Sequence, residues 1–346
     1  MHNKYIISVN EFLIEVLKKI DKLPSTQTVF VTNQDEKVIG TITDGDIRRG
    51  FINGLQLNSP IEKFLFKDFK YLTQDENNFD KLKEFRKLKL KVVPLLDNKG
   101  RLLKVYDFSK LKSILPIDAV IMAGGKGERL KPLTEKIPKP LLKIGGKEII
   151  AYNFDRLQQF GISNQYVTVN YLGEQLTNFC KNYNNDINFS IIKEKEFLGT
   201  AGALSLINNF NNDTVLLMNS DLLTNIDYED LYKTFINREA DMMVASVPYE
   251  VNLPYAILDT EDRKVKSFKE KPSYTYYANA GIYLIKKKLL QYIPKDTVFN
   301  ATDLMDKVTN EGHNLMHYPI RSYWLDIGKP IDFEKAQKDI VHIDFD

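Results

Sequence analysis

Two rhythms of apolar residues run along this chain, and one gives way to the other near residue 116. In the first third, helix-spaced apolar positions precede short strand-like runs, and the arrangement occurs twice. Phe12, Val16, Leu17 and Ile20 fall on one helical face, and Phe79, Leu82, Phe85 and Leu88 fall on another. Each is followed by a strand, a polar turn and a strand: residues 29–33 with 37–43, then 93–97 with 101–107, offset by 64 residues without a gap. Another short amphipathic stretch follows each pair. A duplicated unit whose apolar faces need a partner implies that the two copies pack together.

Pro116 disfavours a helix running through it. Beyond it, short β-branched runs alternate with helical stretches. Residues 119–122 precede 149–160, 166–169 precede 174–183, 189–193 precede 201–209, and 215–218 precede 228–238. This alternation predicts an α/β fold: a Rossmann-like, mixed but mainly parallel sheet with helices on both faces. Sites in such sheets lie beyond the carboxyl ends of the strands. The expected organisation is an α+β domain over 1–115 and a larger domain over 116–346, and a chain of 346 residues suits about two domains.

Composition removes some possibilities. The chain is 43% hydrophobic and 27% charged with a formal net charge of +2, which is not the basic footprint of a nucleic-acid binder. Its one cysteine, Cys180, cannot form an internal disulfide and fits a reducing cytoplasm. Lys4, Glu11 and Glu15 sit among the short apolar runs at the start, unlike a secretory signal. No apolar stretch approaches the ~20 residues that span a bilayer. The expectation is a cytoplasmic protein without membrane or nucleic-acid partners.

The densest chemistry follows the first strand of the larger domain. Ala123, Gly124, Gly125 and Gly127 form a bare turn, Arg129 and Lys131-Pro132-Leu133-Thr134 follow, and Pro138-Lys139-Pro140-Leu141-Leu142 comes shortly after. Glycines here let the backbone approach a ligand, and free N–H groups can meet phosphate oxygens. Arg129 offers a planar, permanently charged fork and Lys139 a mobile point charge. Together they describe a polyphosphate cradle. The string lacks the Gly-Lys-Ser/Thr end of a P-loop and the glycine spacing of a dinucleotide fold.

The whole string resembles the signature of the sugar-1-phosphate nucleotidyltransferases, the nucleotide-sugar pyrophosphorylases. Four later stretches carry the same resemblance. Leu198-Gly199-Thr200-Ala201-Gly202-Ala203-Leu204 resembles that family's base-binding loop, opening a helix. Asn219-Ser220-Asp221 resembles its metal site, with Ser220 in place of the usual Gly. Glu270-Lys271-Pro272 and Asn279-Ala280-Gly281 resemble its sugar segments. Tyr323-Trp324-Leu325-Asp326-Ile327-Gly328 resembles its second metal motif, with Lys329 where Thr is common.

The resemblance implies a Mg²⁺-dependent transfer of a nucleotidyl group from an NTP to a sugar 1-phosphate. Asp221 and Asp326 would hold Mg²⁺, and Arg129 the β- and γ-phosphates. Lys139 would neutralise the α-phosphate and Lys271 the sugar phosphate. Gly199, Thr200 and Gly202 join the glycine turn in holding the nucleotide, and Glu270, Asn279 and Gly281 hold the sugar. The favoured substrates are GTP with glucosamine 1-phosphate or mannose 1-phosphate. Thymidylyl or uridylyl transfer to glucose 1-phosphate is the alternative, and a non-catalytic nucleotide sensor is a second one. The charge logic stands apart from the resemblance. A sugar 1-phosphate has a second pKa near ~6, so it is already dianionic at neutral pH and needs no strong base. The obstacle is bringing two anions together, which positioning and charge neutralisation overcome.

The repeated first third resembles a tandem CBS pair, or Bateman module. Its first copy carries Gly40-x-x-Thr43-x-x-Asp46, similar to that family's ribose-contacting pattern, with Arg48 nearby. The second has Lys104, Asp107 and Lys110 at the corresponding places, so one nucleotide site at most is expected. An adenine or guanine nucleotide effector and a homodimer or higher homo-oligomer are what this resemblance implies.

Overall fold

The structure, a computed structural model, describes residues 4–23, 26–73, 78–183 and 187–345. The chain divides into two compact units, 1–114 and 115–346.

The first unit contains β1 (Ile6–Ser8), α1 (Leu13–Asp21), β2 (Thr28–Thr32), β3 (Val38–Thr43) and α2 (Asp44–Ile52). Then come β4 (Leu72–Thr73), α3 (Asn78–Lys87), β5 (Val92–Leu96) and β6 (Leu102–Asp107). They make two three-stranded sheets, β1-β2-β3 and β4-β5-β6. The repeat survives in detail. Thr28 pairs with Thr43 and Val92 with Asp107, and the register shifts between Val31 and Thr32 in one hairpin and between Leu95 and Leu96 in the other. Of the expected apolar face of α1, Val16 and Ile20 are buried, Leu17 is half-buried and Phe12, just before the helix, is exposed, its place in the core being taken by Leu13. In the second copy Leu82 and Phe85 are buried and Leu88, just past α3, is exposed; the side chain of Phe79 lies outside the described residues. Leu96 shares one apolar cluster with Val29, Val31 and Ile42, so the two copies pack together.

The copies differ after their second strand. Thr43 caps α2, whereas Asp107 Oδ1 accepts from the N–H and hydroxyl of Ser109 in a turn, and no helix follows among the described residues.

The second unit opens with β7 (Ile117–Met122), a small hairpin of β8 (Lys143–Ile144) and β9 (Lys147–Glu148), and α4 (Ile149–Gln159). It continues through β10 (Asn164–Val169), α5 (Gly173–Lys181), β11 (Asn188–Lys193), β12 (Thr214–Asn219), β13 (Leu222–Thr224) and α6 (Tyr228–Asn237). After these come β14 (Met242–Asn252), β15 (Ile257–Glu261), β16 (Lys264–Lys269) and β17 (Ser273–Lys286). The last elements are α7 (Ala301–Asn310), β18 (Leu315–Pro319), β19 (Trp324–Asp326) and α8 (Pro330–Asp339). Seven strands form one sheet in the order β11-β10-β7-β12-β17-β14-β18. It is mainly parallel, as expected, with β17 antiparallel to both of its neighbours. The central β7 and β12 are buried along almost their whole length. That is why they read as continuous apolar runs rather than alternating ones.

One expectation changes. Residues 201–209 form a short 3₁₀ turn over Gly202–Leu206 instead of an α-helix: the N–H groups of Leu204 and Ile207 bond three residues back to Ala201 O and Leu204 O, and the N–H groups of Ala201 and Gly202 donate to Phe299 O. The outer halves of β14 and β17, with the β15–β16 hairpin, form an exposed arm, and the run Tyr274–Tyr277 lies within it. No helix among the described residues is long and apolar enough to cross a membrane.

Candidate active site

A cavity of about 370 Å³ opens where β7, β10 and β12 end, at Met122, Thr168 and Asn219. Ala123, Gly124, Gly125, Gly127, Arg129, Lys139, Gly199, Thr200 and Asp221 all line it. The sequence separates these residues into three groups, and the sheet order gathers them.

The glycine turn is shaped by contact. A Cβ on Gly124 would come within 2.8 Å of Glu194 Oε1. Gly127 has φ 63°, and a Cβ there would meet Thr134 at 3.0 Å and Lys139 at 3.1 Å. A side chain at either position would push the loop off its neighbours. The return of the loop is tied down from outside. Thr134 Oγ1 donates to Gly127 O at 2.9 Å. The Tyr171 hydroxyl lies 3.2 Å from Thr134 O and 3.1 Å from Glu135 O, and Gln175 Nε2 donates to Lys136 O at 2.9 Å. The Tyr171 N–H also reaches Gly124 O at 3.4 Å. Tyr171 therefore spans both limbs of the loop that carries Arg129 and Lys139.

The two candidate metal carboxylates meet across a two-stranded ladder. β13 pairs with β19 so that Leu222 stands opposite Asp326, and the Ile327 N–H donates to Asp221 O at 3.1 Å. Asp221 Oδ2 pairs with the Lys139 ammonium. Asp221 Oδ1 and Asp326 Oδ1 are buried and have no hydrogen-bond partner among the described residues. Burial pushes the Asp326 carboxyl up from its ordinary value, the charge of Asp221 adds to this, and Lys139 and Arg129 oppose it. Two unsatisfied carboxylate oxygens on neighbouring acids fit a hard divalent cation.

A further carboxylate was not foreseen. Glu194 follows β11, is 6% exposed, and lines the cavity. Its Oε2 accepts the Leu198 N–H at 3.0 Å, and Asn170 Nδ2 donates to its backbone oxygen at 3.0 Å. The only trace in the sequence is an acidic residue directly after a strand and just ahead of the Leu198-Gly199-Thr200 loop.

Other expected residues are placed differently. The Thr200 hydroxyl accepts the Ala301 N–H at 2.9 Å, so it caps α7 while its residue borders the cavity. Gly202 is outside the lining and packs against the segment at Phe299. Glu270 and Lys271 sit in the exposed arm between β16 and β17, outside the lining, because β14 and β17 run on past the sheet there. Asn279 and Gly281 are also outside it. The Asn279 side chain donates to the Tyr283 hydroxyl at 2.8 Å and accepts the Gly281 N–H at 2.9 Å.

In the first unit, Thr43, Asp46 and Arg48 line a separate cavity of about 580 Å³. Thr43 and Asp46 are engaged with each other. Asp46 Oδ2 accepts the Thr43 N–H at 2.8 Å and its hydroxyl at 2.6 Å, while Asp46 Oδ1 pairs with Arg49 at 2.5 Å. The spacing read as a ribose pattern thus forms a helix capping box. Arg48 pairs with Asp44 at 3.0 Å.

A glycine turn with two cations and two acids thus lies at the carboxyl edge of a mostly parallel sheet, where α/β folds carry their sites. The chain belongs to the nucleotidyl transferase family, whose model matches residues 118–342. It is 29% identical over 224 residues to mannose-1-phosphate guanyltransferase beta-A of Xenopus laevis, covering 62% of each chain. It is 28% identical over 229 residues to the D-glycero-alpha-D-manno-heptose 1-phosphate guanylyltransferase of Aneurinibacillus thermoaerophilus, covering 65% of this chain and 99% of that one. The solved structure of HddC from Yersinia pseudotuberculosis complexed with GMP-PN is similar at a TM-score of 0.51 and 26% identity, covering 64% of this chain and 99% of that one. The chain spans 54–62% of the length of the first curated relatives it matches.

Proposed function

We propose that this chain transfers a guanylyl group from GTP to the 1-phosphate of a hexose-type sugar, mannose 1-phosphate or glucosamine 1-phosphate, releasing pyrophosphate. The observation that carries the choice of base is Glu194. A buried carboxylate offers acceptors only. Guanine presents two adjacent donors, N1–H and the 2-amino group, on the edge by which such pockets read a base. Uracil and thymine present one donor flanked by acceptors, which a carboxylate opposes. The guanylyl-transferring relatives support the same choice.

In the reaction, an oxygen of the sugar phosphate attacks the α-phosphorus of GTP. The new P–O bond forms as the bond to the β-phosphate oxygen breaks, and pyrophosphate leaves without a proton having to be removed. Arg129 is assigned to the β- and γ-phosphates and Lys139 to the α-phosphate. Asp221 and Asp326 would hold a divalent cation, which supplies charge neutralisation to the phosphates.

The test is pyrophosphate release with GTP, ATP, CTP, UTP and dTTP against mannose, glucosamine, glucose and N-acetylglucosamine 1-phosphates, with Mg²⁺ or EDTA. GTP is expected to lead. A lead for dTTP or UTP overturns the base assignment, and no turnover with any pair favours a nucleotide sensor.

A second reading concerns residues 1–115, which we infer to be a tandem CBS module taking a purine nucleotide effector, in a homodimer or larger assembly. The buried Thr26 supports a ligand there. The residue lines the 580 Å³ cavity, and its buried hydroxyl has no hydrogen-bond partner among the described residues. Thr26→Val tests this more cleanly than changing Thr43 and Asp46, whose loss would also uncap α2. Isothermal titration of AMP, ATP, GMP and GTP should show binding that Thr26→Val weakens. No binding by the parent chain rejects the effector.

A further inference from the structure

Lys139 stands at the floor of the cavity with its charge already committed. Its side chain is 11% exposed, its Cβ lies against the Gly127 turn, and its ammonium pairs with Asp221 Oδ2. Beyond that pair, Asp221 Oδ1 and Asp326 Oδ1 remain buried and unsatisfied. The ladder between β13 and β19 keeps the two acids side by side. The Lys139 ammonium is therefore the ion-pair partner of one member of a buried acid pair, in a place where water replaces little of the missing charge.

We propose that Lys139 is a placeholder cation: its ammonium and a divalent cation compete for Asp221, and nucleotide phosphate draws the ammonium away so that the carboxylate pair can take the metal. The identity of that phosphate rests on the nucleotidyl-transfer reading, but the competition does not. A ligand whose site is open for only part of the time binds with an affinity reduced by that fraction. If Lys139 holds Asp221 about nine-tenths of the time, the metal is bound about tenfold more weakly than the acids alone would bind it. Phosphate adjacent to the pair offers Lys139 another anion and removes this handicap. Nucleotide and metal then each favour binding of the other, over and above any direct phosphate–metal contact.

The experiment uses the full chain and Mn²⁺ alone, without nucleotide or sugar, with free Mn²⁺ followed by electron paramagnetic resonance. Lys139→Gln and Lys139→Met are expected to bind Mn²⁺ about tenfold more tightly than the parent, and adding Asp326→Asn should erase the gain. Equal or weaker binding in both folded variants overturns the proposal.

A second measurement needs no variant. Acetylation of Lys139 in the parent, read by mass spectrometry, should accelerate when Mn²⁺ saturates the protein, because the ammonium has lost its partner. An unchanged rate also overturns the proposal. Neither measurement depends on turnover. Their failure in an active enzyme leaves the transferase reading standing, and their success in a chain without turnover separates the two conclusions.

Discussion

Glu194→Gln is nearly isosteric and changes the chemistry of one buried group. In the parent, Oε2 is taken by the Leu198 N–H at 3.0 Å, and Oε1 lies against the bare Cα of Gly124, which like Glu194 lines the cavity. The amide replaces one acceptor by a donor. Whichever way it turns, its NH₂ confronts either the Leu198 N–H or a guanine donor. The loss is one hydrogen bond to a charged group, about 1.5–3 kcal/mol. Read as transition-state stabilisation, this lowers kcat/KM for GTP about 10- to 150-fold. UTP and dTTP should lose less or gain, since an amide can answer a donor flanked by acceptors. ITP, which lacks the 2-amino group, should be a poorer substrate than GTP for the parent and nearly equal to it for the variant. The assay is initial-rate pyrophosphate release across these nucleotides, with a melting curve to establish folding. A folded variant that keeps its GTP kcat/KM within about threefold of the parent, with an unchanged GTP/ITP ratio, refutes the reasoning.

Tyr171→Phe removes the hydroxyl that braces the Thr134–Glu135 limb and leaves the backbone bond to Gly124, so KM for the nucleotide should rise about three- to tenfold with kcat changing less than about twofold. Steady-state kinetics checks this, and a fall in kcat alone contradicts it. Burial pushes the Cys180 thiol up to about 12. At pH 8 the native protein should therefore resist Ellman's reagent and react only after denaturant is added. Asp241 is pushed up by burial, but bonds from Lys288, the Asn314 N–H and Lys286 outweigh this and hold it well below the ordinary carboxylate range. A depressed pKa contributes stability that is present above the ordinary value and lost as pH falls through the folded value. The melting temperature of Asp241→Asn should thus lie below the parent's at pH 7, with the gap closing below about pH 3. A gap independent of pH would point to packing alone.

Local pattern was legible where one physical cause acted. The hairpins at 28–43 and 92–107 were readable because alternation and turn chemistry act over a few residues, and even their register shifts recur 64 residues apart. The Thr43–Asp46 spacing was readable but ambiguous. A hydroxyl and an acid three residues apart suit a sugar and also suit a helix start, and the N–H groups of the helix were nearer. Residues 201–209 carry a helical apolar period, which does not distinguish an α-helix from the i-to-i+3 turns this segment closes or report its tie to Phe299 O, about a hundred residues on.

By itself the sequence determined the two-part organisation of its patterns, the mainly parallel sheet, and the bare turn with Arg129 and Lys139 at the end of its first strand. These follow from periodicity, from glycine and proline, and from charge type, which are properties of neighbours along the chain. Only tertiary structure decided that β17 enters the sheet reversed, that Asp326 lies beside Asp221 through the β13–β19 ladder, and that Glu194 is buried in the cavity wall. It also left Lys271 on an exposed arm, outside that wall. A side chain acquires its charge environment, its exposure and its partners from segments distant in the chain, and no local pattern carries that information.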